Sequence, residues 1–305
     1  MVRGRVMFAA RFAALAVALG ALGACGATPK HVDDDDPPEI TGDAFSDSGS
    51  YKPKSFTVEV HGEGRPVILI PGLGCPGSVW DETVAHLAGF QTHVLTLAGF
   101  AGQPRIHKPL SATVRRELVR YIRSRHLKSP VIIGHSLGGF IAYWLAASEP
   151  ELVGAVIVVD AGPALTDTDP ETAKQLRELW TQAEDDEYAQ QVHDAFIGMG
   201  TDSKRMLDLI KDVERSDRQA MGDAIYELET TDLRQKVSAI SAPVLLVLAD
   251  GGLQQFYRQE VATIPHLEID VIPRTHHFVM WDDPKGFFGV VDPFLAKNPA
   301  TTDKD

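Results

Sequence analysis

The sequence predicts an α/β fold: a mostly parallel, doubly wound sheet with a block of helices inserted late in the chain. Three observations point there. Short runs rich in Val, Ile and Leu recur through the body of the chain, and continuous apolar runs suit strands buried on both faces of a parallel sheet. Amphipathic helical patterns separate these runs, so strands and helices alternate. The interval from Asp160 to Pro243 carries helical patterns and no strand; a structureless loop of that length is implausible, so it is an insertion.

Taken in order, the chain opens on a targeting pattern. Arg3, Arg5 and Arg11 precede any acid, and "FAALAVALGALGA" is a short run of small apolar residues, too short for a bilayer span of roughly 20 residues. It ends in Leu22-Gly23-Ala24-Cys25, which resembles the lipobox of bacterial lipoproteins. That resemblance implies a signal peptide over 1–24, a lipidated Cys25, and a periplasmic or cell-envelope location. Gly26 after the cysteine favours the outer membrane, with the lipid as the sole membrane contact. Residues 25–54 include "DDDDPP" and few apolar residues and read as a solvated acidic linker.

The body then shows strand runs at "SFTVEV" (55–60), "PVILI" (66–70), "THVLTL" (92–97), "PVIIG" (130–134), "AVIVVD" (155–160), "PVLLVLA" (243–249) and "LEIDVI" (267–272). Helical patterns fall at about 77–88, 111–126, 137–148, 254–263 and 284–296. Within the insertion, "PETAKQLRELWTQA", "YAQQVHDAFIGM", "SKRMLDLIKDV" and "RQAMGDAIYEL" each read as an amphipathic helix. The expected organisation is a core over 55–163 and 231–297, a helical cap over 164–230, and a tail over 298–305.

Composition excludes several classes. Of 305 residues, 29 are Lys or Arg and 42 are Asp or Glu, a net charge of -13 with no basic cluster, so nucleic acid is not an expected partner. Two cysteines exclude a disulfide scaffold. No metal-ligand cluster or nucleotide-binding loop stands out, so neither metal nor other cofactor is expected.

The chemistry gathers at Gly134-His135-Ser136-Leu137-Gly138, a G-x-S-x-G pattern between an apolar strand and a helix. A nucleophilic serine needs a sharp strand-to-helix turn that exposes its Oγ. Small residues on either side, here the elbow glycines Gly134 and Gly138, let the strand and helix approach. The helix that follows aims its N-terminus at the site, where developing negative charge is stabilised.

Over about 55–297 the chain resembles the α/β-hydrolase family. "VILIPGLGCPGSVWDETVAHL" resembles that family's oxyanion loop and first helix, "GHSLGG" its nucleophile elbow, and "RTHHFVMWDDP" its histidine loop. The resemblance implies Ser136 as nucleophile and the backbone N–H groups of Leu73 and Leu137 as oxyanion donors. His277, directly before Phe278, is the implied base in preference to His276. His135 reads as a packing or hydrogen-bonding residue, and Cys75 as a small loop residue. The acid departs from the family pattern: Gly252 stands where it usually comes, about three residues after the strand "PVLLVLA". Asp160, at the end of "AVIVVD", is favoured; Asp250 is the alternative, and Asp282 and Asp283 look more like a helix start. Ala98 stands where many relatives carry Asp.

These readings predict a serine hydrolase acting through an acyl-enzyme on small esters or thioesters with an apolar acyl part. Two other readings stay open: a non-catalytic binding lipoprotein on the same scaffold, and an acyltransferase.

Overall fold

The computed structural model describes residues 51–165, 168–251 and 253–300. Cys25, the signal segment, most of the linker, Gly252 and the end of the tail lie outside the described residues.

Seven strands form one sheet: β1 (Phe56–His61), β2 (Arg65–Ile70), β3 (Phe90–Leu97), β4 (Val131–His135), β5 (Ala155–Val159), β6 (Val244–Ala249) and β7 (Leu267–Ile272). Their order is β1-β3-β2-β4-β5-β6-β7. β1 runs antiparallel to β3, and the other pairs are parallel. β4, β5 and β6 are buried at every position, which is why their sequences read as unbroken apolar runs. Edge strand β1 is largely exposed and can carry Thr57 and Glu59.

The helices of the core are α1 (Asp81–His86), α2 (Leu110–Ser124) and α3 (Leu137–Ser148), then, after the insertion, α8 (Gln254–Glu260), α9 (Val279–Asp282) and α10 (Pro284–Lys297). α3 packs on β2, β4 and β5 and against α2. Nine of its residues are buried, so it is apolar on nearly all sides.

Between β5 and β6 lie α4 (Pro170–Thr181), α5 (Asp185–Phe196), α6 (Ser203–Val213) and α7 (Arg218–Thr230). Each has an acidic N-cap. Asp169 accepts from the N–H groups of Glu171 and Thr172, with Pro170 in the first turn, and Asp202 and Asp217 cap α6 and α7 likewise. Glu184 and Glu187 form a capping box on α5. α7 is also tied to the core. Its Glu227 accepts from the backbone N–H and hydroxyl of Ser111 in the first turn of α2, whose own N-cap, Pro109, provides no side-chain cap.

The structure corrects three predicted boundaries. The helix expected over 77–88 divides into a 3-10 turn, Gly77–Trp80, and α1. Gly77 is pressed onto β3, where its N–H donates to Thr96 Oγ1 at 2.8 Å, and that contact sets a tighter turn. β3 begins at Phe90 because Phe90 and Gln91 pair with Arg65 and Pro66. α8 stops at Glu260, short of 263, because the chain tightens there into three-residue turns, with Ala262 N–H donating to Gln259 O and Ile264 N–H to Val261 O. Among the described residues no helix is long and apolar enough to cross a membrane.

Candidate active site

Ser136 is the single residue between β4 and α3. Its backbone sits at φ 53° and ψ -120°, a strained conformation for a residue with a side chain. The strain is held by bonds on both sides: Ser136 N–H donates to Val159 O at 3.0 Å, and Phe140 N–H donates to Ser136 O at 3.0 Å. The flanking glycines are sterically required. A Cβ on Gly134 would lie 2.2 Å from Gly138 O, and one on Gly138 would lie 2.1 Å from Ile70 O. The oxyanion-type loop passes just as close, since a Cβ on Gly72 would come within 3.2 Å of Ser136 Cβ. Leu73 follows on that loop. Leu137 opens α3, so its N–H is a first-turn amide without an intrahelical acceptor.

His277 Nδ1 lies 2.7 Å from Asp160 Oδ2. The other oxygen, Oδ1, accepts from Ala249 N–H at 3.0 Å. Asp160 follows β5 directly, at φ 49°, a left-handed turn that Asp tolerates better than most residues. A carboxylate only accepts, so Nδ1 carries the proton, and in the neutral ring the lone pair belongs to Nε2. Asp250, one strand over, is exposed and instead accepts from Arg274 N–H at 3.2 Å.

The remaining acids and His276 have other duties. Asp282 Oδ2 accepts from His276 N–H at 2.6 Å, and its Oδ1 accepts from the N–H and hydroxyl of Thr201 in the insertion. Asp283 caps α10 through Gly286 N–H, with Pro284 in the first turn. The histidine loop is therefore clamped to its surroundings. Phe278 N–H donates to Met199 O at 3.1 Å, and Trp281 Nε1 donates to Val79 O at 2.9 Å. The Arg205 guanidinium lies 3.9 Å from the Trp281 ring centroid.

His135 is the packing and hydrogen-bonding residue that the sequence suggests, and the structure adds its partners. Fully buried beside the elbow, it donates from Nε2–H to the carbonyl of His277 at 2.9 Å, and its ring packs against those of His277 and Phe278 at 4.6 Å. Burial, and then repulsion from His277, holds its pKa well below the ordinary histidine value. It is thus neutral, with one donor, spent on that carbonyl. The sequence signal was its place next to Ser136; the direction of its ring was not encoded there.

These groups open onto a cavity of about 640 Å³. Ser136, Asp160 and His277 share its wall with Leu73, Leu137, Phe140, Trp180, Phe196 and Phe278, and the lining is mainly apolar. Cys75 also lines it. Its thiol contacts Leu73 O at 3.4 Å, and burial pushes its pKa up, so it stays protonated and unreactive. Among the described residues no group of three or more His, Cys, Asp or Glu could hold a metal.

A model of the Alpha/beta hydrolase family matches residues 67–290, which takes in the elbow, Asp160 and His277. The chain belongs to the alpha/beta hydrolase family. Among its relatives is a pimeloyl-[acyl-carrier protein] methyl ester esterase of Aliivibrio fischeri, 28% identical over 202 residues, or 61% of this chain and 75% of that protein. Among solved structures, an esterase from Exiguobacterium antarcticum superposes with a TM-score of 0.72 at 15% identity, covering 79% of this chain and 95% of that one. A bromoperoxidase from Bacillus anthracis superposes with a TM-score of 0.71 at 18% identity over 79% and 95%. At such identities the structural likeness carries the fold alone, and the differing names make the point that chemistry must be argued from the site.

Proposed function

We propose that this alpha/beta hydrolase is a serine esterase that cleaves carboxylic esters or thioesters through an acyl-enzyme. The observation that carries the reading is the 2.7 Å bond between His277 Nδ1 and Asp160, on the same cavity wall as a serine held at φ 53°. Ser136 Oγ attacks the acyl carbonyl carbon while His277 Nε2 takes its proton. The oxyanion of the tetrahedral intermediate accepts from the N–H groups of Leu73 and Leu137; one such donor is worth about 10²–10³ in rate. Collapse expels the alcohol or thiol, which leaves with the proton from His277. Water then repeats the sequence and frees the acid. Asp160 holds the imidazole in the Nδ1–H tautomer and stabilises the imidazolium.

The inserted helices serve as the cap, since Trp180 of α4, Phe196 of α5 and Ile225 and Leu228 of α7 give the cavity apolar walls suited to an acyl chain. The ester-cleaving relatives support the same reaction type. In this reading the protein is exported and lipid-anchored at Cys25, as the Leu-Gly-Ala-Cys motif suggests. Mass spectrometry of the protein expressed with its leader tests the anchor: an unmodified Cys25 in membrane fractions removes it.

The deciding experiment for the chemistry combines a fluorophosphonate probe with turnover of p-nitrophenyl esters. Labelling and turnover in the parent protein, both lost in Ser136→Ala, support the esterase. A folded protein that neither labels nor turns over supports a binding role on this scaffold. Transfer of the acyl group to an added alcohol in place of water would identify an acyltransferase.

A further inference from the structure

The cavity has a second property beyond its apolar walls: its charge is of one sign. Asp160, Asp194 and Asp250 all line it, and among its described lining residues there is no Lys or Arg. Asp160 is committed to His277 and Ala249. The other two come from opposite parts of the fold: Asp194 from α5 of the insertion, Asp250 from the end of β6. Asp194 accepts from the Gln190 side-chain amide at 2.7 Å and meets His193 Nδ1 at 3.2 Å; Asp250 accepts a backbone N–H. Behind the wall, Glu260 stands near Tyr257, and burial together with the charges of Asp160 and Glu260 pushes the Tyr257 phenol far up. Arg234 is 3.6 Å from Glu260, on a residue that does not line the cavity. The whole chain adds to this sign, with a net charge of -13.

We propose that the cavity selects uncharged esters and rejects those whose acyl or alcohol part carries an anion, with Asp194 and Asp250 as the specificity-determining carboxylates. This rests on the serine-esterase reading. An apolar chain enters with no electrostatic cost. A carboxylate or phosphate on the same chain meets three carboxylates and no Lys or Arg in the described lining, and the exposure of Asp194 and Asp250 leaves that repulsion open to screening by salt. Half-esters of dicarboxylic acids are excluded on this ground, as are acyl groups carried on a phosphate-bearing arm. The discrimination acts on entry, and therefore on KM more than on kcat.

The test compares p-nitrophenyl hexanoate with mono-p-nitrophenyl adipate, two esters of equal acyl length that differ by one terminal carboxylate. The ratio of their kcat/KM values cancels any difference in the amount of active protein. The neutral ester is expected to be favoured by at least about 10-fold, and the ratio to fall roughly threefold or more in Asp194→Asn, in Asp250→Asn and in 0.5 M NaCl. Equal rates for the two esters, a preference for the adipate, or a ratio unmoved in both variants would overturn the proposal. If neither ester is cleaved, the esterase reading fails instead, and charge selection is then read by binding. Methyl hexanoate should raise Tm and monomethyl adipate should not; equal shifts would sink the selection on their own.

Discussion

β5 and β6 lie side by side in the sheet, and each is followed at once by an aspartate, but the two carboxylates lead different lives. Asp160 turns inward at φ 49°, has 13% of its side chain exposed, and is gripped by Ala249 N–H and His277. Asp250 is exposed and meets one backbone N–H. What makes an orienting carboxylate is therefore neither residue type nor strand-end position. It is a backbone turn that sends the side chain across the neighbouring strand, where a fixed donor holds one oxygen and leaves the other for the imidazole. That donor belongs to Ala249, the residue just before Asp250, so the end of β6 works for the acid of β5.

The sharpest way to break this comparison is a matched pair of substitutions. Asp160→Asn keeps a residue that tolerates the left-handed turn but removes the charge that fixes the His277 tautomer. Its kcat should drop on the order of 10⁴-fold. The loss in Asp250→Asn should be smaller by more than 10²-fold, and the double variant should be no worse than Asp160→Asn. Similar losses at both positions would leave neither as the dedicated acid.

The next effect contrasts the end of β4 with the end of β6. Gly138→Ala drives a methyl to 2.1 Å from Ile70 O, where backbone cannot move aside without opening the sheet. Unfolding in urea should show a loss of about 3 kcal/mol or more, an overpacking cost at the upper end of the usual range. A Cβ on Gly251 meets nothing within 4 Å, and Gly251→Ala should stay within about 0.5 kcal/mol. Equal tolerance at the two positions would mean that the elbow is not held by close approach.

A smaller effect is expected one step back from the chemistry. His135→Phe keeps an aromatic ring against Phe278 but leaves the His277 carbonyl without its donor. We expect kcat to fall about 10-fold, from a lost bond of roughly 1–2 kcal/mol, with KM little changed. His135→Gln, which can place an amide N–H near the same carbonyl, should recover much of the loss. A purely structural role would lower Tm in both variants without that recovery.

The same contrasts explain what the sequence makes legible. The central strands are readable because burial on both faces demands unbroken runs such as "VIIGH" and "AVIVV". Ser136 is readable because the elbow tolerates only glycine two places before and after it. Asp160, the proposed acid, is harder to read: its contact with His277 spans 117 residues and hangs on a left-handed turn that an Asp permits without announcing. The split at Gly77 and the bond from His135 to His277 are likewise set by the neighbours, β3 in one case and the histidine loop in the other.

The mildest prediction compares a histidine at the site with one far from it. His93, on β3, is buried with Nδ1 2.8 Å from the Tyr121 hydroxyl and Nε2 3.1 Å from Gln91 Oε1, and burial lowers its pKa to about 4. His135 is lowered as well, mainly by burial. In the unfolded chain both titrate near 6.5. Below that value the unfolded chain binds protons that the folded chain refuses, so stability is full above pH 6.5 and declines as the pH falls toward 4. Each group contributes a slope of about 1.4 kcal/mol per pH unit, or roughly 2 kcal/mol for His93 between pH 6.5 and pH 5. Glu227 acts in the opposite sense. Burial raises its pKa, so protonation at lower pH favours the folded state and offsets part of the loss. Urea unfolding at pH 7 and pH 5 measures the net effect. His93→Gln should flatten the dependence by about half while leaving the pH profile of ester turnover in place, because β3 carries no group of the site. His135→Gln should flatten it by a similar amount and also change turnover, because there the buried neutral imidazole holds the carbonyl of His277. A parent protein whose stability is level from pH 7 to pH 5 would show that the two histidines take up protons in the fold after all, and would remove the neutral His135 on which its bond to His277 depends.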